Sequence, residues 1–262
     1  MQALHLLRRS AAPWMRTLID VILPRSCRVC DAPLEGHEPP EQLSHWLCPG
    51  CRGGLSPVEA PFCEKCGEVF DGAADSTFQC MNCAGQKFAF EFAIAGYQTS
   101  GSTLDLVHRF KYGSDLTLRA PLERMLERAL RDPRLASLDP EHWCLVPVPL
   151  HPLRERERRF NQSRELCREL AGRKSFPMID AMKRTRSTPK QALLTRQQRL
   201  ENLRGAFAVK DRFIRDDSPL RGRAVLLVDD VFTTGATTNE CARVLKREAG
   251  VQKVVVISVA RG

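Results

Sequence analysis

The stretch Val225-Leu-Leu-Val-Asp-Asp-Val-Phe-Thr-Thr-Gly-Ala-Thr-Thr238 decides how this chain is read. Residues 224–228 are five apolar residues in a row, the pattern of a strand buried on both faces of a parallel sheet. Asp229 and Asp230 follow at its carboxyl end, then a small hydroxyl-rich loop, then a helix over 237–248 that Gly250 closes. Residues 254–260 read as the next apolar strand, so the unit is a βαβ crossover. Ligands of open α/β sheets settle at the carboxyl ends of the strands. Thr233, Thr234, Gly235, Ala236 and Thr237 can turn backbone N–H groups and hydroxyls toward one phosphate. Gly235 permits close approach, and the helix N-terminus adds partial positive charge. The carboxylates of Asp229 and Asp230 repel a phosphate but suit the vicinal hydroxyls of a ribose, with Mg²⁺ nearby. The competing reading is an ordinary βα turn capped by threonines. No G-x-x-x-x-G-K-[ST] stretch occurs, which sets P-loop nucleotidases aside.

Upstream of this unit the alternation continues back to about residue 88. Residues 88–97 read as a strand or hairpin arm, and 103–112 and 116–131 as helices, the second starting at Asp115 with Pro121 in an early turn. Residues 143–150 form a short apolar strand whose two prolines place its end at a loop. Residues 161–172 read as a helix closed by Gly172, 205–209 as a short strand and 216–222 as a loop. Alternating elements of this kind make an α/β domain over 87–262.

The first 86 residues are different: rich in Cys, Pro and Gly, with little periodicity. Eight of the 11 cysteines form four C-x-x-C pairs there. Cys27 and Cys30 are separated by 17 residues from Cys48 and Cys51, and Cys63 and Cys66 by 13 from Cys80 and Cys83. Two such pairs complete a tetrahedral four-thiolate site with bonds of roughly 2.3 Å. The simplest assignment is Cys27, Cys30, Cys48 and Cys51 around one Zn²⁺, and Cys63, Cys66, Cys80 and Cys83 around a second. A cross-braced pairing fits the spacing as well, and four thiolates also suit an iron–sulfur cluster. Closed ligand sets leave no position for a catalytic water, so the expected role of the zinc is structural.

Residues 1–24 carry Arg8, Arg9 and Arg16, and an apolar run over 18–23 that Asp20 interrupts, too short and too polar for a secretory signal. They read as an amphipathic helix. No run reaches the 18 or so apolar residues of a membrane span, and a cytoplasmic location is expected, where disulfides are rare. The net charge of +9 is unevenly placed. Residues 151–223 hold 20 Lys and Arg against 9 Asp and Glu, whereas residues 1–83 hold 7 against 10. The surface that meets anions is therefore expected in the C-terminal half, not in the cysteine region.

The acid pair and its loop resemble the phosphoribosyl pyrophosphate signature of type I phosphoribosyltransferases. That resemblance implies Asp229 and Asp230 on the ribose hydroxyls, residues 233–237 on the 5-phosphate, and Mg²⁺ bound with the ligand. Three further stretches extend it: Val146-Pro-Val-Pro-Leu-His-Pro-Leu-Arg-Glu-Arg-Glu-Arg-Arg-Phe-Asn-Gln162, the basic stretch from Lys190 to Phe207, and Phe110-Lys-Tyr-Gly-Ser-Asp115. Together with the four C-x-x-C pairs, this order of parts resembles the ComF family, linked to bacterial DNA uptake and competence. The resemblance implies a type I phosphoribosyltransferase fold, a mostly parallel sheet flanked by helices, behind a small zinc-ribbon-like N-terminal region. It implies a loop at Arg154, Arg156 and Arg158 that meets pyrophosphate or DNA phosphates, and a hood over the site offering Arg196, Arg199 and Arg204. Its expected partners are phosphoribosyl pyrophosphate or a related phosphate ligand, single-stranded DNA and proteins of the uptake machinery. Two functions follow from it: a binding module in DNA uptake, or an active phosphoribosyltransferase with an unidentified acceptor. One departure stands out. The family has glycine before Phe-Asn-Gln, and here that residue is Arg159; if the glycine serves a positive φ, the loop is expected to turn differently. His108 and His151 are expected in structural or surface roles. Phe232 and Tyr112 could stack on a base, with core packing the leading role for Phe232.

Overall fold

The computed structural model describes residues 25–36, 38–70, 72, 80–186 and 203–262. The amphipathic helix expected over 1–24 lies outside them. The chain packs as two compact units, 1–54 and 55–262. In the first, a short helix α1 (Pro49–Gly53) starts at Cys48, whose sulfur accepts from the Cys51 N–H.

The second unit is α/β. Its sheet has four parallel strands in the order β1 (Ala93–Gln98), β6 (Lys253–Arg261), β5 (Ala224–Phe232), β2 (Trp143–Pro147). The two apolar runs seen in the sequence become the central pair. Residues 225–228 and 254–257 are fully buried, as strands covered on both faces must be. Alternation along β5 and β6 sends Val225, Leu227, Val254 and Val256 into one apolar cluster with Cys241, Ala242, Val244 and Leu245 of helix α6 (Ala236–Ala249). Helices α3 (Arg119–Glu127) and α5 (Gln162–Lys174) pack on the sheet and on each other. A small antiparallel pair, β3 (Met182–Arg184) and β4 (Phe207–Val209), packs beside α6.

Several expected boundaries move, each for a local reason. β5 does not stop at Val228. It runs to Phe232 because β6 offers ladder partners that far, Asp229 opposite Ser258 and Phe232 opposite Arg261. The segment 116–131 is not one helix: 3-10 turns over Leu116–Leu118 and Arg128–Arg131 bracket α3, while Asp115 caps the start by accepting from the Thr117 N–H at 3.0 Å. α5 passes through Gly172 and ends at Ser175, which takes the left-handed conformation. Gly250 does close α6, with φ 65°.

The basic stretch 154–159, expected as a loop, is a two-turn helix, α4 (Pro152–Arg158). His151 starts it, its Nδ1 accepting from the Leu153 N–H at 3.3 Å, with Pro152 at the first helical position. The turn after α4 is the one a glycine would make. Arg159 sits at φ 67°, ψ −17°, so the expectation that an arginine here would force a different turn is corrected: the positive φ a glycine would serve is present, and the arginine bears its cost.

Candidate functional site

At the end of β5 the chain turns from Phe232 into α6 through Thr233, Thr234 and Gly235. Gly235 is the residue before the helix and lies at φ 75°, ψ 2°. Two constraints require glycine there. The left-handed conformation is costly for any other residue, and a Cβ would stand 2.8 Å from Phe232 Cζ and 3.4 Å from Phe88 Cε1. The Gly235 carbonyl accepts from the Asn239 N–H at 2.8 Å and the Thr238 hydroxyl at 3.1 Å. Thr234 Oγ1 accepts from the Ala236 N–H at 3.4 Å. Thr233 is exposed and Thr234 and Thr237 are half-buried, so three threonines stand in and beside the turn that opens a 14-residue helix, residue types and a helix end that suit a phosphate.

The acid pair adjoins this loop. Asp229 Oδ1 accepts from the Ser163 hydroxyl at 3.1 Å and from the Asp230 N–H at 2.9 Å. Burial, then the neighbouring Asp230 carboxylate, push the Asp229 carboxyl up to about 7. Asp230 is paired with Lys111 at 3.1 Å, and both side chains are largely shielded from solvent. Lys111 ends helix α2 (Gly101–Tyr112). Once both are ionised, two carboxylates held side by side can accept from hydroxyls or hold a divalent cation.

The arginines do not act as one group. On α4, Arg154 and Arg158 are four residues apart and share a face, while Arg156 points away and is exposed. Arg158 donates to Gln162 Oε1 at 3.3 Å and lies 5.2 Å from the centre of the exposed Tyr112 ring. Arg184, which the sequence reading passed over, is lowered from its ordinary value by burial and by the Arg154 guanidinium, while Asp229 works the other way. Arg184 is thus within electrostatic reach of both Arg154 and Asp229. Arg204 lies among the described residues, next to β4; Arg196 and Arg199 lie outside them.

The eight thiols gather as two quartets, Cys27–Cys30–Cys48–Cys51 and Cys63–Cys66–Cys80–Cys83, each with its sulfurs within 4.8 Å of one another. The Cys30–Cys48 and Cys66–Cys80 separations are 3.7 and 3.4 Å, close to the roughly 3.8 Å edge of a tetrahedron with 2.3 Å bonds. The donor set and its spacing therefore fit Zn²⁺. A hydrogen bond from Cys83, opposed by burial and aided by the Arg261 guanidinium, holds the Cys66 thiol down at about 5, the thiolate character that a metal ligand needs.

Residues 18–84 match the double zinc ribbon domain. Competence protein F of Haemophilus influenzae is 31% identical over 82% of this chain and 90% of its own length. The chain belongs to the ComF family. Other relatives of this ComF chain include the DNA utilization protein YhgH of Escherichia coli, 30% identical over 86% of the chain and 92% of the relative. Competence protein ComFC of Bacillus subtilis is 23% identical, with 82% and 84% covered.

Of the ComF chain's site residues, Lys111, Ser163 and Arg184 escaped the sequence reading. Each belongs to a different element, and Lys111 and Ser163 reach the acid pair only once the fold brings those elements together. The one available signal was that Lys111 and Ser163 stand within or beside the stretches Phe110–Asp115 and Val146–Gln162 quoted for the family. His151 and Phe232 took the structural roles expected of them, as helix cap and core residue. Among the described residues, no helix is long and apolar enough to cross a membrane.

Proposed function

We propose that this ComF-family protein binds phosphoribosyl pyrophosphate, or a closely related phosphoribosyl ligand, with Mg²⁺, and serves DNA uptake as a binding module for single-stranded DNA. The observation that carries the ligand reading is the turn at Gly235, packed so tightly that no side chain fits, opening a helix N-terminus in a threonine-rich turn that follows two carboxylates. In this reading the loop N–H groups and hydroxyls hold the 5-phosphate. Asp229 and Asp230 accept from the ribose 2- and 3-hydroxyls and share the Mg²⁺. Lys111 is the cation at hand to offset the second carboxylate, and Arg154 and Arg184 are the cations assigned to the pyrophosphate. The uptake role draws on relatives named as competence and DNA utilization proteins, and on the basic excess over residues 151–223.

Calorimetric titration of the zinc-loaded protein with phosphoribosyl pyrophosphate and Mg²⁺ tests the ligand site. Saturable binding that is lost in Asp229→Ala/Asp230→Ala is expected. Absence of binding by folded, zinc-loaded protein overturns the reading.

A further inference from the structure

The second cysteine quartet and the phosphate loop share one side chain. Arg261 lies at the end of β6, opposite Phe232 in the ladder, and its side chain is 4% exposed. A guanidinium buried this deeply has to satisfy its fork of donors internally. Nε donates to the Cys66 carbonyl at 3.1 Å and Nη2 to the Cys66 sulfur at 3.8 Å, while Nη2 also pairs with Glu68. On the other side Nη1 donates to the Phe232 carbonyl at 3.3 Å, a carbonyl that also accepts from the Gly262 N–H at 2.9 Å. The guanidinium carbon stands 5.4 Å from the centre of the Phe232 ring. That ring is the surface against which Gly235 packs. From a metal-binding sulfur to the left-handed glycine of the loop there are therefore only two side chains, Arg261 and Phe232.

The surroundings make this a stiff connection. The Cys63–Cys66 turn is tied to the sheet by the Ala93 N–H, which donates to the Lys65 carbonyl at 2.9 Å. All four thiols of the quartet are buried in the same apolar cluster as Phe90, Phe232 and Ala236. Phe90 meets Phe232 edge-to-face at 5.9 Å. In its ring packing the loop thus rests on the back of the metal knuckle.

We propose that Arg261 is a positioning residue that couples the metal state of the Cys63–Cys66–Cys80–Cys83 quartet to the shape of the phosphate loop. With the metal bound, the knuckle presents the Cys66 carbonyl and sulfur at fixed points, and Arg261 holds the end of β5 against them. With the metal gone, those points are no longer fixed, Arg261 loses its anchor, and the turn from Phe232 to Gly235 loosens. Zinc in this quartet then acts on the site as well as on the fold. The use of the loop for phosphate rests on the reading given above; the coupling itself does not.

The test is hydrogen exchange, read by mass spectrometry on the full-length protein without any phosphate ligand. Amides of residues 233–236 report the loop, and amides of residues 166–170 in α5 serve as the internal reference. Removing zinc from the wild type should speed exchange in the loop on the order of tenfold, the size expected for losing hydrogen bonds to a charged group, and leave α5 unchanged. Arg261→Lys should speed loop exchange with zinc still bound, and zinc removal should then add little. Glu68→Gln, at a more exposed position, should give an intermediate effect without threatening the fold. Loop protection unchanged on zinc removal, or protection lost equally in α5, overturns the proposal. Ligand titration is run separately, so a failure to bind phosphoribosyl pyrophosphate sinks the ligand reading and leaves the exchange result standing.

Discussion

Arg159 holds a backbone conformation that costs an ordinary residue about 1–2 kcal/mol relative to glycine. Its side chain is exposed, so little packing offsets that cost. Arg159→Gly is accordingly expected to raise stability by roughly 1 kcal/mol, read as a higher denaturation midpoint at unchanged m-value; a lower midpoint would show that the arginine makes a contact worth more than the strain. Asp229 shows what burial does to the candidate site. Its carboxyl is raised to about 7, yet Mg²⁺ requires the ionised form and ribose hydroxyls bond to it more strongly. Ligand affinity should therefore rise as pH climbs from 6 to 8 and level off above, and Asp229→Asn should flatten the profile; calorimetry across that range checks it. The same shift acts oppositely on the unliganded fold. The native state binds more protons than the unfolded state between about pH 4 and pH 7, so this group's contribution to stability falls as pH rises through that window. The identity of Asp229, Asp230 and Gly235 could be read from a line of text, because a signature loop is local. The partners of the acid pair could not: Ser163 lies 66 residues from Asp229 and Lys111 lies 119 from Asp230.

At the scale of elements, the central strands and α6 were legible because continuous apolar runs and a closing glycine are strong local signals. α4 was not. Its charged sequence offers no apolar periodicity, and its start depends on a histidine acting as cap. The consequence is functional, since a helix splits Arg154 and Arg158 from Arg156 where a loop could have gathered all three. The two cysteine quartets also differ as elements. Cys30 is exposed and Cys48 and Cys51 are half-buried, whereas every thiol of the second quartet is buried. Chelation is expected to release zinc in two phases, the fast one from the first quartet. Release followed with a colorimetric chelator tests this: Cys30→Ser should abolish the fast phase, and loss of the fast phase in Cys83→Ser instead would reverse the assignment.

For the whole molecule, the unequal placement of charge sets what can be expected of nucleic acid. Single-stranded DNA held by the basic half should lose affinity steeply with salt, by about 0.7 in the slope of log K against log salt for each phosphate neutralised. Arg156 is exposed, and Arg156→Ala should make that slope shallower by about that amount in filter-binding or anisotropy titrations; an unchanged slope would remove Arg156 from the interface. By itself the sequence determined the α/β class, the buried strand pair, the acid-pair loop and the four C-x-x-C pairs, because each is a local pattern of periodicity or short spacing. Only the tertiary structure decided the thiol grouping, the Lys111–Asp230 pair, the left-handed turn at Arg159 and the span of Arg261 from Cys66 to Phe232. Those depend on which strands lie side by side: β6 pairs with both β1 and β5, and that pairing brings residues 195 positions apart to within hydrogen-bond reach, which no local pattern in the chain encodes.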